Sequence, residues 1–405
     1  MFKFFPFGIL FFLMLCAPTL YVNIKIGIVI FILYCLFLKS FNSGFWIDSK
    51  LFYLFILNLL TSISFLLLAI LNGYNSAVKL MSVYFIYPII YFFFISTYRG
   101  DFIFKVIAKT LVFSGFVISL YSIILILYKI GIVPYFWEID DLESRFGLYG
   151  ATPEFSILPL SSLLFITPFT LTYLVKYKIK KDRLFYLFMW LSLILQIFLI
   201  LVSGRRALQM VLILSFILNY SISFMNSSNA YRIIPMLFVF LVVVGLENYG
   251  HINLWDLILN IRDGFDFSRV SLGGTYERKM QFEDLINLWK KKPVFGYGLG
   301  ANGGYIRSID QPFAYELSYV WLLFSVGIVG FLVYFLSIFY VLISLIKFKG
   351  FSECSELINP VLLGTVCFLI GNATNPYLNK FDFIWVVFLP IFMLNKIIYD
   401  AKAIG

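Results

Sequence analysis

Residues 315–346 read YELSYVWLLFSVGIVGFLVYFLSIFYVLISLI, and Glu316 is the one charged side chain in the stretch. A helix crosses a bilayer with about 20 predominantly apolar residues, so this run suffices for one span with a tilted or extra-membrane turn to spare. The rest of the chain repeats the pattern. Of 405 residues, 61% are hydrophobic, 20% aromatic and only 13% charged, with a mean hydropathy of +0.94. Soluble domains carry roughly 25% charged residues, and a water-soluble fold could not hide this much apolar surface. The bilayer is the solvent these residues imply. Apolar runs at 4–21, 24–38, 51–71, 80–97, 106–128, 156–175, 184–202, 207–224, 233–247, 315–346, 357–371 and 382–398 predict an all-α polytopic membrane protein of about 12 transmembrane helices. They form a single transmembrane domain over 1–405. The opening MFKFFPFGILFFLMLCAPTL has a signal-like order of charge and apolar run. Another span follows at once without a small-residue cleavage site, so it reads as the first transmembrane helix.

A formal net charge of +10 does not indicate nucleic acid here, because the Lys and Arg residues lie between apolar spans rather than on one soluble face. They act first as topology signals. Short cytoplasmic loops are enriched in Lys and Arg, which assigns to the cytoplasm the breaks holding Lys39 and Lys50, Arg99 and Lys105, KYKIKKDR at 176–183, Arg232, and KFKG at 347–350. The expected location is the cytoplasmic (inner) membrane, multi-pass, with the remaining breaks on the outer, periplasmic face. Cys16, Cys35, Cys354 and Cys367 sit in or beside apolar runs without CxxC or metal-type spacing, so they read as packing residues.

Two outer segments are too long for simple turns, a loop at 130–155 and a larger one at 248–314, and long loops of this kind are usually functional. In the larger loop Phe282, Leu285, Ile286 and Trp289 recur at i, i+3, i+4 and i+7, which predicts an amphipathic helix over 276–292 lying at the membrane surface. Lys290, Lys291 and Lys292 suit a helix C-terminus, and Pro293 stops the helix. FGYGLGANGGY follows, with glycines at 296, 298, 300, 303 and 304 that let backbone run close to other backbone. It lacks the Lys-Ser/Thr of a nucleotide loop and does not join a soluble strand to a helix, which excludes that reading.

The outer segments also collect arginines: Arg145, Arg205, Arg206, Arg262, Arg269, Arg278 and Arg307. Guanidinium is permanently charged and offers a planar fork of donors that matches phosphate oxygens. Each arginine could alternatively snorkel to headgroups or pair with Asp140, Asp141, Glu143, Asp263, Asp266 or Glu277. Arg205 and Arg206 are more specific. SGRR lies between two apolar runs with almost no loop around it, so adjacent cations there call for a wet cavity or an anion. Glu316 stands at the membrane edge, where a carboxylate needs a cation or a proton. It can serve as general base to a hydroxyl nucleophile, or as a helix-start carboxylate held by the dipole. His251 is the only histidine, which disfavours a metal site or a Ser-His-Asp triad.

In their order these segments resemble the O-antigen ligase and polymerase superfamily, most nearly its Wzy-type polysaccharide repeat-unit polymerases. The order is SGRRAL after a middle helix, a large outer loop ending in KKPVFGYGLG, then a polar residue separated by ten residues from the glycine of a GIVG turn, here Glu316 and Gly327. SRFGLYGATPEFS at 144–156 and NATNPYLNKFDFIW at 372–385 look like the other outer-face segments of that superfamily. Its ligases usually carry His where this chain has Glu316.

The resemblance implies a glycosyltransferase C-type fold and a metal-independent, inverting enzyme without cofactor. Such an enzyme polymerises undecaprenyl-pyrophosphate-linked oligosaccharide repeat units into O-antigen, capsule or exopolysaccharide at the outer face. Its partners would be that lipid-linked oligosaccharide, the lipid bilayer and a chain-length regulator, with no nucleic acid. Glu316 and Arg205 are the expected catalytic residues, with Arg145, Arg206, Arg269, Arg278 and Tyr319 holding pyrophosphate and glycan. An O-antigen ligase is the alternative within the same chemistry. A lipid-linked oligosaccharide flippase is the alternative outside it, although internal repeats and midplane ionisable residues, which would favour a transporter, are not seen.

Overall fold

The computed structural model describes residues 5–98, 100–135, 145–149, 152–177, 182–224, 274–306, 311–348 and 355–404. In chain order the helices are α1 (Phe5–Cys16), α2 (Val22–Ser43), α3 (Ser49–Leu71), α4 (Ser76–Thr97), α5 (Phe102–Lys129), α6 (Leu158–Lys176), α7 (Arg183–Val202), α8 (Arg206–Phe224), α9 (Gly274–Trp289), α10 (Ser318–Lys347), α11 (Ser355–Asn372) and α12 (Phe381–Ile404). Among the described residues eight helices, α2 to α7, α10 and α12, are long and apolar enough to cross a membrane. The chain is therefore a polytopic helical membrane protein.

Eight of the twelve expected spans fall on these helices. The runs expected at 4–21, 207–224 and 357–371 fall on α1, α8 and α11, whose apolar parts are shorter. The expected span at 233–247 lies outside the described residues. α1 ends early for a visible reason: beyond Cys16 the backbone turns at Pro18, and Thr19 and Tyr21 take the left-handed conformation, φ 64° and 53°, which interrupts a helix. The 130–155 segment, expected as a loop, contains a short antiparallel hairpin of β1 (Arg145–Tyr149) and β2 (Thr152–Ser156), paired from Arg145 with Ser156 to Tyr149 with Thr152.

Two compact units divide the chain: Met1–Ile28, Asp101–Asp266 and Glu356–Gly371 in the first, Val29–Gly100, Phe267–Ser355 and Asn372–Gly405 in the second. In the first, α6 is enclosed along most of its length, and the contacts that enclose it are close because small residues allow them. Gly115 of α5 faces Gln196 and Ile166, so a side chain there would meet Ile166 Cγ2 within 2.7 Å. Gly364 and Gly371 of α11 face Phe165 and Leu164 in the same way. Small residues at helix contacts are what packing in lipid requires, since apolar burial between helices gains nothing there.

In the second unit α10 packs against α3, α9 and α12. It is broken at Gly327, where φ 58° and ψ −170° leave the helix. A break in a membrane helix frees backbone groups that must be satisfied by protein. The glycine-rich loop does this: Tyr297 N and Gly298 N donate to the carbonyls of Phe324 and Ser325 at 3.2 and 2.7 Å. On the other side of the break Ile328 N and Val329 N donate to Pro293 O and Val294 O at 2.9 and 3.2 Å. Leu299 N reaches Phe65 O of α3 at 2.9 Å. Gly298, with φ 102°, lies so close to α3 that an added Cβ would come within 2.5 Å of Ala69 Cα. The loop is thus stitched into the helices, with Leu299, Trp321, Phe324 and Leu285 buried around it.

Large apolar side chains stay exposed along these helices, among them Phe31, Tyr53, Leu60, Leu71, Ile217 and Leu336. Continuous exposure of this kind is a lipid-facing surface.

Candidate functional site

At the head of α10 the second unit gathers its polar groups. Arg278 Nε donates to Glu316 Oε2 at 2.6 Å. The carboxylate side chain is 9% exposed and the arginine 24%, so the acid is buried while its partner keeps an open edge. A guanidinium carries five N–H donors, and one of them is on Nε. Glu316 is fixed from its backbone as well, since its N–H donates to Gln281 Oε1 at 2.9 Å. Gln281 itself is buried, and among the described residues its Nε2 has no hydrogen-bond partner. An unsatisfied buried amide costs about 1–3 kcal/mol.

Both partners come from α9. Arg278, Gln281, Leu285 and Leu288 fall at i, i+3, i+7 and i+10, one helix face, and Gln281 and Leu285 are buried on it. Of the expected stripe, Leu285 is buried, Ile286 and Trp289 are half-buried and Phe282 is 40% exposed; Gln281 also lies on the buried face, with Arg278 one turn earlier pairing with Glu316. Further along α9, Asp284 accepts from Tyr305 N at 3.0 Å and lies against Gly303 and Gly304. Gly303 N in turn donates to Tyr315 Oη at 2.6 Å, and Trp321 Nε1 donates to Ala301 O at 3.0 Å. The glycine run thus ties α9 to the head of α10. Burial pushes the Tyr315 phenol up to about 12, which keeps it neutral.

The segment after α11 closes the same group. Ser318 donates its hydroxyl to the Asn372 carbonyl, Asn372 Nδ2 donates back to Ser318 Oγ at 3.2 Å, and Leu378 N donates to Asn372 Oδ1 at 3.0 Å. Tyr319, expected to touch glycan, hydrogen-bonds Asn372 and meets Phe335 edge-on at 5.4 Å between ring centroids. It packs within the helix group. Lys380 closes the short helical turn Tyr377–Asn379. Burial holds its ammonium below the ordinary lysine range, with Asp382 offsetting part of the effect.

In the first unit Arg205 and Arg206 stand at the start of α8, both half-buried. Gly204, with φ 65°, makes the turn from α7. Ser203 Oγ accepts from Arg205 N at 3.4 Å, and Ser203 O accepts from Phe155 N of β2 at 3.0 Å. The hairpin that carries Arg145 is therefore docked beside the arginine turn. A helix N-terminus is already the positive end of its dipole, so two guanidinium groups there fit an anionic ligand.

Of the sequence candidates, the structure brings Arg278 to Glu316, and Arg205 and Arg206 to the hairpin bearing Arg145. Arg262, Arg269, Arg307 and His251 lie outside the described residues. Gln281, Asp284, Ser318 and Asn372 were missed. The spacing of Arg278, Gln281 and Leu285 held a signal for Gln281; Asn372 is known only through the fold. No family model and no curated protein matches the chain.

Proposed function

We propose that the protein is a membrane glycosyltransferase that polymerises undecaprenyl-pyrophosphate-linked oligosaccharide repeat units at the outer face of the cytoplasmic membrane. The observation that carries this reading is the buried Glu316 carboxylate paired with the partly open Arg278. Three separately read segments meet there: α9 of the large loop, the glycine run FGYGLG, and the YEL…GIVG segment. Their order in the chain is the basis of the family resemblance, and their contact gives that order a physical reason.

In this reading an acceptor hydroxyl attacks the anomeric carbon of the donor chain in line with the departing oxygen. The new C–O bond forms as the bond to pyrophosphate breaks. The leaving electron pair stays on the pyrophosphate, and the hydroxyl proton passes to Glu316 as general base. Pyrophosphate oxygens draw on the guanidinium donors of Arg278, which stabilise the charge that develops on departure. One in-line displacement inverts the anomeric carbon.

Purified protein in defined lipid, given a synthetic lipid-pyrophosphate repeat unit, tests the reading. Ladders of lipid-linked polymer support it. Transfer only to a distinct acceptor would favour a ligase, and transport of the unit across vesicles without bond formation would favour a flippase.

A further inference from the structure

The opposite end of the second unit holds a different site. α3 and α4 meet the glycine loop through Ala69 and Ala77, so Ser49 and Thr97 mark the far end of the same helices. There the linker between α2 and α3 forms a wall. Gly44 turns with φ 64°, Trp46 N donates to Ser96 O at 2.9 Å, and Asp48 N donates to Asn395 Oδ1 at 3.0 Å. Asn395 Nδ2 reaches back to Trp46 O at 3.5 Å. A clipped linker of this kind is a built feature, and it encloses a cavity of about 500 Å3 lined by Phe45, Trp46, Ile47, Phe52, Phe92 and Phe93 with Ser96. That volume falls within the roughly 300–1,000 Å3 of small-molecule sites. Phe45 and Phe52 remain 58% and 39% exposed, so the cavity opens sideways toward lipid.

Lysines flank its lining segments in the chain and in space. Lys39 Nζ lies 3.9 Å above the Tyr98 ring centroid, Lys402 Nζ lies 5.6 Å from the Trp46 ring centroid, and Lys50 is exposed in the first turn of α3. Two carboxylates pair with lysines in the same segments. Asp48 accepts from Lys402 at 3.2 Å, and Asp400 pairs with the buried Lys396. Among the described residues named here, four lysines, Lys39, Lys50, Lys396 and Lys402, stand beside these two carboxylates. An aromatic slot open to the bilayer, under an excess of lysine ammonium groups, has one fitting occupant. We propose that it binds an anionic glycerophospholipid, one acyl chain lying along Phe45, Phe52 and Phe92, with the phosphate against Lys39 and Lys50. Basic side chains at the membrane surface favour such headgroups, and the basic short breaks at 39–50 and 347–350 are what the cytoplasmic leaflet attracts. The proposal is independent of the transferase reading.

Trp46 makes it measurable. The full-length protein is reconstituted in vesicles of phosphatidylcholine carrying either dibrominated phosphatidylglycerol or dibrominated phosphatidylcholine, bromine being a contact quencher of indole. The Trp46 signal is taken as wild type minus Trp46→Phe. Quenching of that signal is expected at lower mole fraction of the anionic lipid than of the zwitterionic one. Lys39→Gln and Lys50→Gln should each reduce the preference about fivefold. Equal quenching by both lipids would reduce the slot to ordinary lipid contact and overturn the proposal. An unquenched Trp46, or a preference that survives in both Lys variants, would overturn it as well.

Discussion

Arg278 and Glu316, thirty-eight positions apart, are joined by a 2.6 Å contact from Nε to Oε2. The acid is buried and the base is not. That asymmetry gives the pair two separable roles: Arg278 stabilises a carboxylate that would otherwise be stranded, and it presents its remaining donors outward.

Glu316→Gln keeps shape and hydrogen bonding but removes the proton acceptor. In the polymerase assay its turnover is expected to fall by a factor on the order of 100 to 10,000, with donor binding retained. Arg278→Ala should cost about 2 kcal/mol of stability, less than the 3–5 kcal/mol of a fully buried pair because Arg278 is partly open. Combining the two substitutions should return most of that stability without restoring turnover. Near-normal turnover by Glu316→Gln would assign Glu316 to positioning Arg278 alone.

Gly298→Ala adds a Cβ at φ 102° against the Ala69 backbone. Strain and overlap together are expected to cost about 3 kcal/mol, seen as a lower melting temperature in detergent. Gly304 is the control: it has no left-handed backbone, and its nearest contact for a Cβ is Asp284 Oδ1 at 3.5 Å. Gly304→Ala should stay within about 0.5 kcal/mol of wild type. Equal melting of both variants would show that the loop is not locked to α3.

Much of the architecture was legible, for reasons visible in particular residues. The run from Val320 to Ile346 admits no solvent but lipid, and the break at Lys290–Pro293 marks the end of α9. What escaped was set by distance in sequence or by local geometry. Gln281 takes its buried place through its bond to the Glu316 backbone, thirty-five positions away, a contact that local spacing does not show. The break at Gly327 is hidden in the hydropathy of a continuous apolar run, and only the GIVG turn of the family resemblance marks it. Asn372 became part of the site only because Ser318 and Leu378 meet it.

Tyr315 ties the site to alkaline pH. Its phenol is raised to about 12 in the folded protein against an ordinary value near 10. The folded state therefore holds this proton more tightly than the unfolded chain. The associated stability is complete below about pH 10 and is lost as pH rises toward about 12. Tyr315→Phe lowers stability at pH 8, since Gly303 N loses its acceptor, yet it should lose less between pH 10 and 11 than wild type does. Parallel melting curves over that interval would remove Tyr315 as a contributor.

Arg205 separates anion binding from folding. Its backbone makes the local contacts, N to Ser203 Oγ and O from Gln209 N at 3.1 Å, and both survive replacement of the side chain. Arg205→Ala should therefore melt within about 0.5 kcal/mol of wild type. If the guanidinium stabilises the departing pyrophosphate, turnover should still fall by about 100- to 1,000-fold, the usual cost of one preorganised donor, with weaker donor binding. Arg205→Lys keeps the charge without the planar fork, so its turnover should lie between the other two. Adding pyrophosphate gives an independent readout: it should raise the melting temperature of wild type, and less so that of Arg205→Ala. A variant with wild-type turnover and an undiminished pyrophosphate shift would take Arg205 out of the reaction and leave Arg278 as the cation that meets the leaving group.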